Sequence, residues 1–358
     1  MARRLSSVFL LSRSHLSNAL RKMTSNASDS AGPQKVVVND DFQKVEGFDK
    51  IASEFFKFSQ PSTDVFQPAT LKNVRQGHST AAYGGLIFAQ ALAAAEQTVD
   101  AKFRPHSVHS YFILNVDTAE PIEYRVRRVR DGKSFCTRTV DAVQKDKTAF
   151  ILQTSFQVEE PDSISHQSTM PEVPQPHSLM SMRQAIPFVK EMVNKGDYTP
   201  SKSILYRLNQ YDSKIYSSDS DLFEMRSTNL GNYYGFESDK KPALFFWMRA
   251  RGDLPEDARL HRWLVSYNTD SILAATALSP HYAANNFQPS MVFSLDHTVW
   301  FHRTNFRADD WLLFETRSHY AGGGRSLIDG RLWHPDGSLV VSCHQEVLVR
   351  TRDKKSQI

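Results

Sequence analysis

Three polar side chains interrupt apolar runs in the C-terminal half of this 358-residue chain. Asp270 opens DSILAATAL, Ser294 lies between Phe293 and Leu295, and Gln345 breaks LVVSCHQEVLV. A carboxylate accepts a proton, while a hydroxyl and an amide orient a reactant through hydrogen bonds. Each residue also has a plain structural reading. An acid before an apolar helical run caps that helix and faces its positive end. A serine on a buried strand is a satisfied core hydroxyl, and a glutamine is an edge-facing amide. Position alone leaves both readings open. The familiar chemical signatures are missing: there is no GxSxG elbow, HExxH, GxxxxGK[ST] or GxGxxG. Gly322-Gly323-Gly324 lacks the phosphate-loop spacing and its lysine, and reads as a turn or bulge. His297 and His302, five apart on a strand, point to opposite faces and do not pair around a metal.

The elements that must carry these residues are legible in part. Gly84–Val99, GGLIFAQALAAAEQTV, is apolar apart from Gln90 and the closing Glu96, Gln97 and Thr98, the pattern of a helix with little exposed surface. HSVHSYFIL, PIEYRVRRV, CTRTVDAVQ and TAFILQTSFQV follow as strands, with DGKSF as a turn. One buried helix and an antiparallel run of strands make an α+β unit. Residues 159–178 hold four prolines among acids and serines and form a linker. A helix is expected around RQAIPFVKEMVNK. ALFFWMRARG reads as a strand and DARLHRWLVSYNTDSILAATAL as helical pattern. SMVFSLDHTVWFHR, DWLLFETRSHY, GGGRSLIDGRLW and GSLVVSCHQEVLV complete the set as strands. The second half repeats the first. His109-Ser110 precedes Gln157 by the 48 residues that separate His297-Thr298 from Gln345, and DGKSF answers GGRSL. A period near 188 means tandem domains.

Composition narrows the function classes. With 40% hydrophobic and 23% charged residues the chain is globular, and its two cysteines, Cys136 and Cys343, support neither a disulfide scaffold nor a cysteine zinc site. No apolar run approaches the length of a membrane span. The net charge of +4 resides in residues 1–28, which carry five cations and no acid, leaving 38 basic against 39 acidic residues elsewhere. Nucleic acid is therefore a poor partner. That leader, rich in Arg and Ser around an apolar stripe, has the composition of a mitochondrial transit peptide, although Met23 as a second start would remove it. Ser356-Gln357-Ile358 after Lys354-Lys355 looks like a degraded Ser-Lys-Leu peroxisomal address.

FFWMRARGDLPEDARLHRWLVSYNTD, SLDHTVWFHR and SCHQEVLVR, with YGGLIFAQALAAA, VHSYFI, RDGKSFCTRTV and ILQTSFQ, resemble the two halves of the acyl-CoA thioesterase II family. The resemblance implies a tandem hot-dog fold, each half an antiparallel sheet wrapped around a long helix. With the linker at 159–178, the two units are expected at 46–158 and 179–352, with 1–45 and 353–358 as terminal segments. It implies hydrolysis of fatty acyl-CoA by a water that Asp270, Ser294 and Gln345 hold jointly, with no cofactor or metal. Asp296, the more conspicuous acid, is left without a chemical role. Arg303 and Arg325 are candidates for the CoA phosphates, with solvated surface charge the plainer reading. A peroxisomal matrix location is implied, with the mitochondrion as the alternative; self-association is left open. Two rival readings stand beside it. A hot-dog hydratase or dehydratase needs a histidine near the acid, which SILAATALSP does not supply. A non-catalytic acyl-CoA binding protein would have no reason to keep a buried acid.

Overall fold

A computed structural model describes residues 44–72, 80–211, 221–235, 242–282 and 287–351. The Arg-rich leader and the Ser-Gln-Ile end lie outside the described residues. In the first half α1 (Phe48–Glu54) and strands β1 (Phe58–Ser62) and β2 (Val65–Pro68) precede the long helix α2 (Gly84–Glu96). Strands β3 (Phe103–Phe112), β4 (Glu123–Asp131), β5 (Phe135–Gln144) and β6 (Lys147–Val158) then wrap that helix. Alanines and straight-chain residues favour the helix, and every residue of α2 after Gly84 is buried. Its two polar members are satisfied. Gln90 Nε2 donates to the Phe55 and Thr70 carbonyls, and Tyr124 Oη donates to Gln90 Oε1.

The second half follows the same plan. After helices α3 (Met182–Asn194) and α4 (Lys202–Tyr206) come β7 (Phe223–Ser227), α5 (Leu230–Tyr234), β8 (Ala243–Ala250), α6 (Ala258–Thr269) and α7 (Leu273–Leu278). Strands β9 (Pro289–Ser294), β10 (Asp296–Phe301), β11 (Leu312–Gly322), β12 (Arg325–Trp333) and β13 (Leu339–Thr351) complete it. All strands join one antiparallel sheet in the order β1-β2-β4-β5-β6-β3-β10-β13-β12-β11-β8-β7, with β9 also on β13. Read inward from either edge, the order is the same: two strands, then the hairpin set, then the strand after the helix. This is the tandem hot-dog architecture, and β3 against β10 is the seam.

The repeat has a different phase from the one the matched spacings suggest. Inner and outer faces alternate along a strand, so equivalent residues must share a face. His109 is exposed and His297 is fully buried, so a shift of 188 pairs opposite faces. Both halves carry a register slip: β3 slips on β6 between Pro105 and Ser107, and β9–β10 slip on β13 between Ser294 and Thr298. Aligning the slips gives a shift of 189, Pro105 to Ser294. His109 then corresponds to Thr298, the residue it faces across the seam. Gln345 corresponds to Thr154, not Gln157.

Two further expectations are corrected. The helical pattern of 257–278 is two helices, capped at the start by Asp257 and broken at Asp270-Ser271-Ile272. Asp270 is the C-cap residue of α6, and α7 begins after Ile272 with no side-chain cap, so Asp270 is no N-cap. SMVFSLDHTVWFHR is likewise two strands, parted at Leu295. The first is not buried, since Phe293 is 53% exposed. The triple glycine is a turn: Gly323 and Gly324, at φ 59° and 76°, form a two-residue hairpin loop between β11 and β12. The linker lies against the outer face of the second half. Trp247 Nε1 donates to the Pro174 carbonyl, and Met170 and Val173 pack on Leu179, Trp247, Leu313 and Trp333.

α2 and α6 run side by side in opposite directions. At the end of α2 the carboxylate of Glu96, fully buried, accepts from Arg262 and from Trp263 Nε1 (2.7 Å) at the start of α6. Removing one partner of a buried ion pair strands the other charge. Glu96→Ala is expected to cost about 3–5 kcal/mol, read as a lower midpoint in urea unfolding. Arg262→Met in that background should recover part of it. An unchanged midpoint for Glu96→Ala would show that the cluster does not hold the helices together.

Candidate active site

Asp270, Ser294 and Gln345, 24 to 75 residues apart in sequence, meet in one hydrogen-bonded group. Asp270 ends α6, Ser294 ends β9, and Gln345 lies mid-way along β13. Gln345 Nε2 donates to Asp270 Oδ1 at 2.7 Å and also to Ser294 Oγ, and Ser294 Oγ donates to Asp270 Oδ1 at 3.3 Å. Gln345 is fully buried, and its carbonyl oxygen has no partner among the described residues. A buried amide oxygen left unpaired is costly unless something donates to it.

The other carboxylate oxygen of Asp270 lies against the start of α2. A Cβ added to Gly84 would come 3.0 Å from Asp270 Oδ2 and 3.1 Å from the Phe112 ring. The first amides of a helix have no acceptor within it. In α2, Leu86 and Ile87 N–H turn back to the Tyr83 carbonyl, while Gly84 and Gly85 N–H have no acceptor among the described residues. The site thus combines a carboxylate, a hydroxyl and an amide from the second half with a positive helix end from the first. Residue type and spacing do not mark those glycines or Phe112 as site residues. The signal was the Gly-Gly at the head of an otherwise alanine- and leucine-rich helix.

The two residues after Leu295 complete the surroundings. Asp296 Oδ1 accepts the backbone N–H of Glu346 at 2.6 Å, and burial pushes its carboxyl pKa up. His297 is fully buried, edge-on to Phe88, with Nε2 2.8 Å from Thr269 Oγ1. Burial lowers its pKa to about 3, so it is neutral near pH 7. Cys343, two residues before Gln345 on the inner face, is kept as a neutral thiol by burial. Arg303 and Arg325 sit in exposed ion pairs with Asp336 and Glu346, as surface charges do. No three His, Cys, Asp or Glu side chains converge to hold a metal ion among the described residues.

Comparison with known proteins gives a consistent result in both halves. Residues 74–157 match the acyl-CoA thioesterase N-terminal domain and residues 217–349 its C-terminal domain. Mouse acyl-coenzyme A thioesterase 8 is 36% identical over 276 residues, which is 77% of this chain and 82% of the mouse protein. The yeast peroxisomal acyl-coenzyme A thioester hydrolase 1 (Saccharomyces cerevisiae) is 26% identical over 75% of this chain and 85% of its own length. The crystal structure of an acyl-CoA thioesterase II from Mycobacterium marinum superposes with a TM-score of 0.65 at 30% identity. It covers 84% of this chain and 99% of that one. With both halves matched, and with a relative at this identity spanning most of both proteins, the chain belongs to the acyl-CoA thioesterase II family.

Proposed function

We propose that this protein hydrolyses fatty acyl-CoA to free fatty acid and CoA at Asp270, Ser294 and Gln345, without a covalent intermediate. The observation that carries the site assignment is the convergence of these three side chains, from three separate elements, at the start of α2. A thioester carbonyl is electrophilic and its thiolate leaves readily, so an activated water suffices. Asp270 takes the water's proton as the water oxygen bonds to the carbonyl carbon. The unpaired Gln345 Oε1 accepts the water's other O–H and fixes its direction, while Ser294 holds the carboxylate and amide in place. The oxyanion that forms is held by the Gly84 and Gly85 N–H groups, where the helix end favours negative charge. The intermediate collapses with cleavage of the C–S bond, and the CoA thiolate departs. Residues 46–158 and 179–352, as the two hot-dog units, therefore share one site.

Purified protein is expected to release free thiol from acyl-CoAs with neither metal nor nucleotide added. Binding of short, medium and long chains without thiol release would instead establish a binding module. Within the site, Asp270→Asn keeps an acceptor oxygen for Ser294 and Gln345 but cannot take a proton at neutral pH. It should lower kcat at least about a hundredfold, with KM and the thermal midpoint little changed. Normal turnover per folded molecule in this variant would refute Asp270 as the base.

A peroxisomal matrix location is the further part of the proposal. It is supported by the name of the yeast relative and by Ser356-Gln357-Ile358 following two lysines. Fluorescent fusions test it: a masked C-terminus should abolish import and a masked N-terminus should not. Import that survives the C-terminal fusion overturns the tail as the address, and mitochondrial import lost on masking the N-terminus supports the leader instead.

A further inference from the structure

β9 and β10 run along β13 as one strand interrupted at Leu295. Ser294 faces Val347 and Thr298 faces His344. Three residues on one side, Leu295, Asp296 and His297, therefore span two on the other, Gln345 and Glu346. This is a β-bulge, and its effect is one of phase. His297, Val299 and Phe301 are buried on the inner face. Counting back in twos, an unbroken strand would turn Phe293 inward and Ser294 outward. The bulge reverses this: Phe293 is exposed and the Ser294 hydroxyl meets Asp270.

Two hydrogen bonds close the bulge. Leu295 N–H donates to the Glu346 carbonyl at 2.8 Å. The Glu346 N–H, which in a regular antiparallel ladder would find a main-chain carbonyl, donates instead to Asp296 Oδ1 at 2.6 Å. Glu346 directly follows Gln345, and Asp296 lies two residues after Ser294. We propose that Asp296 is a positioning residue of the hydrolysis: its carboxylate stands in for a main-chain carbonyl and ties the backbone carrying Gln345 to the backbone carrying Ser294. This rests on the assignment of Asp270, Ser294 and Gln345 above. The first half supports it by contrast. Its corresponding slip has Ser107 where the second half has Asp296, and beside it Pro105 and Thr154 replace Ser294 and Gln345. The architecture forms the bulge without a carboxylate, and the carboxylate accompanies the half that carries the polar trio.

The role requires an acceptor oxygen at this place and not a charge, which gives a test in kcat and KM toward an acyl-CoA. Asp296→Ala should lower kcat by about ten- to a hundredfold, as displacements near 1 Å do, with KM and the circular dichroism spectrum little changed. Asp296→Asn should restore kcat to within about threefold, since its amide oxygen accepts the same N–H. Asp296→Ala combined with Ser294→Ala should be no slower than the worse single variant, because one substitution has already undone the other's placement. If Asp296→Ala proves insoluble, Asp296→Ser, the residue of the first half, is expected to show the same kcat loss. Wild-type kcat in Asp296→Ala or Asp296→Ser overturns the inference. Losses that multiply in the double variant, or an asparagine as slow as alanine, overturn it too. The site reading fails separately: if Ser294→Ala and Asp270→Asn both leave kcat unchanged, the trio itself is wrong.

Discussion

The start of α2 lies so close to the end of α6 that a Cβ on Gly85 would fall 2.3 Å from the Tyr267 carbonyl oxygen. Only glycine permits this approach, and much else follows from it. Antiparallel helices in contact oppose their dipoles, so the positive end of α2 sits beside the negative end of α6. Asp270 occupies that meeting point. At the far end the same pairing brings Glu96 to Arg262 and Trp263. The helices are thus tied at both ends, by backbone contact at the site and by a buried ion pair away from it. Tyr83 adds to the first tie, its hydroxyl donating to the Tyr267 carbonyl at 3.2 Å. The sheet can then close around both helices with β3 and β10 as neighbours.

Much of this was legible in the residues where a single periodicity dominates. The alanine-rich run predicts α2, two-residue alternation predicts β4, and short apolar runs bounded by turn residues predict β3, β5, β6, β8 and β11 to β13. What escaped did so for physical reasons. β1 is almost wholly exposed and carries Pro61, so it has no apolar face to read. β7 is buried throughout, but includes Glu224 and Arg226, which pair with each other while Arg226 also donates to the Pro176 and Leu179 carbonyls. A buried strand whose charges are satisfied internally looks like a loop by hydrophobicity. The bulge left no trace either, because one extra residue in SMVFSLDHTVWF shifts phase without changing composition. The trio was legible chiefly through its resemblance to a family. Alone, Asp270 reads as a helix cap, since an apolar run follows it and the three-residue break before α7 carries no Gly or Pro.

The duplication is unequal: only the second half carries the polar trio. With the two slips aligned, the first half places Pro105 and, on the strand paired with it, Thr154 where the second has Ser294 and Gln345. It has the curved sheet and the helix but not the acid–amide pair. Its contribution is the end of α2 that the second half cannot supply to itself, because an antiparallel helix pair presents the start of one helix only to the end of the other.

Asp296 and His297 show how such a site is braced from both faces of one strand. Adjacent residues on a strand point in opposite directions. Asp296, turned outward, reaches the Glu346 N–H beside Gln345. His297, turned inward, reaches the hydroxyl of Thr269, the residue before Asp270. That hydroxyl also sits 2.8 Å from the Ser266 carbonyl. Thr269 Oγ1 thus links the imidazole to the main chain of α6. With its pKa lowered to about 3, the imidazole stays neutral near pH 7 instead of becoming a buried cation beside Asp270. One dipeptide therefore contacts both arms of the trio, the strand that bears Gln345 and the helix that bears Asp270, while the bulge just before it turns Ser294 between them.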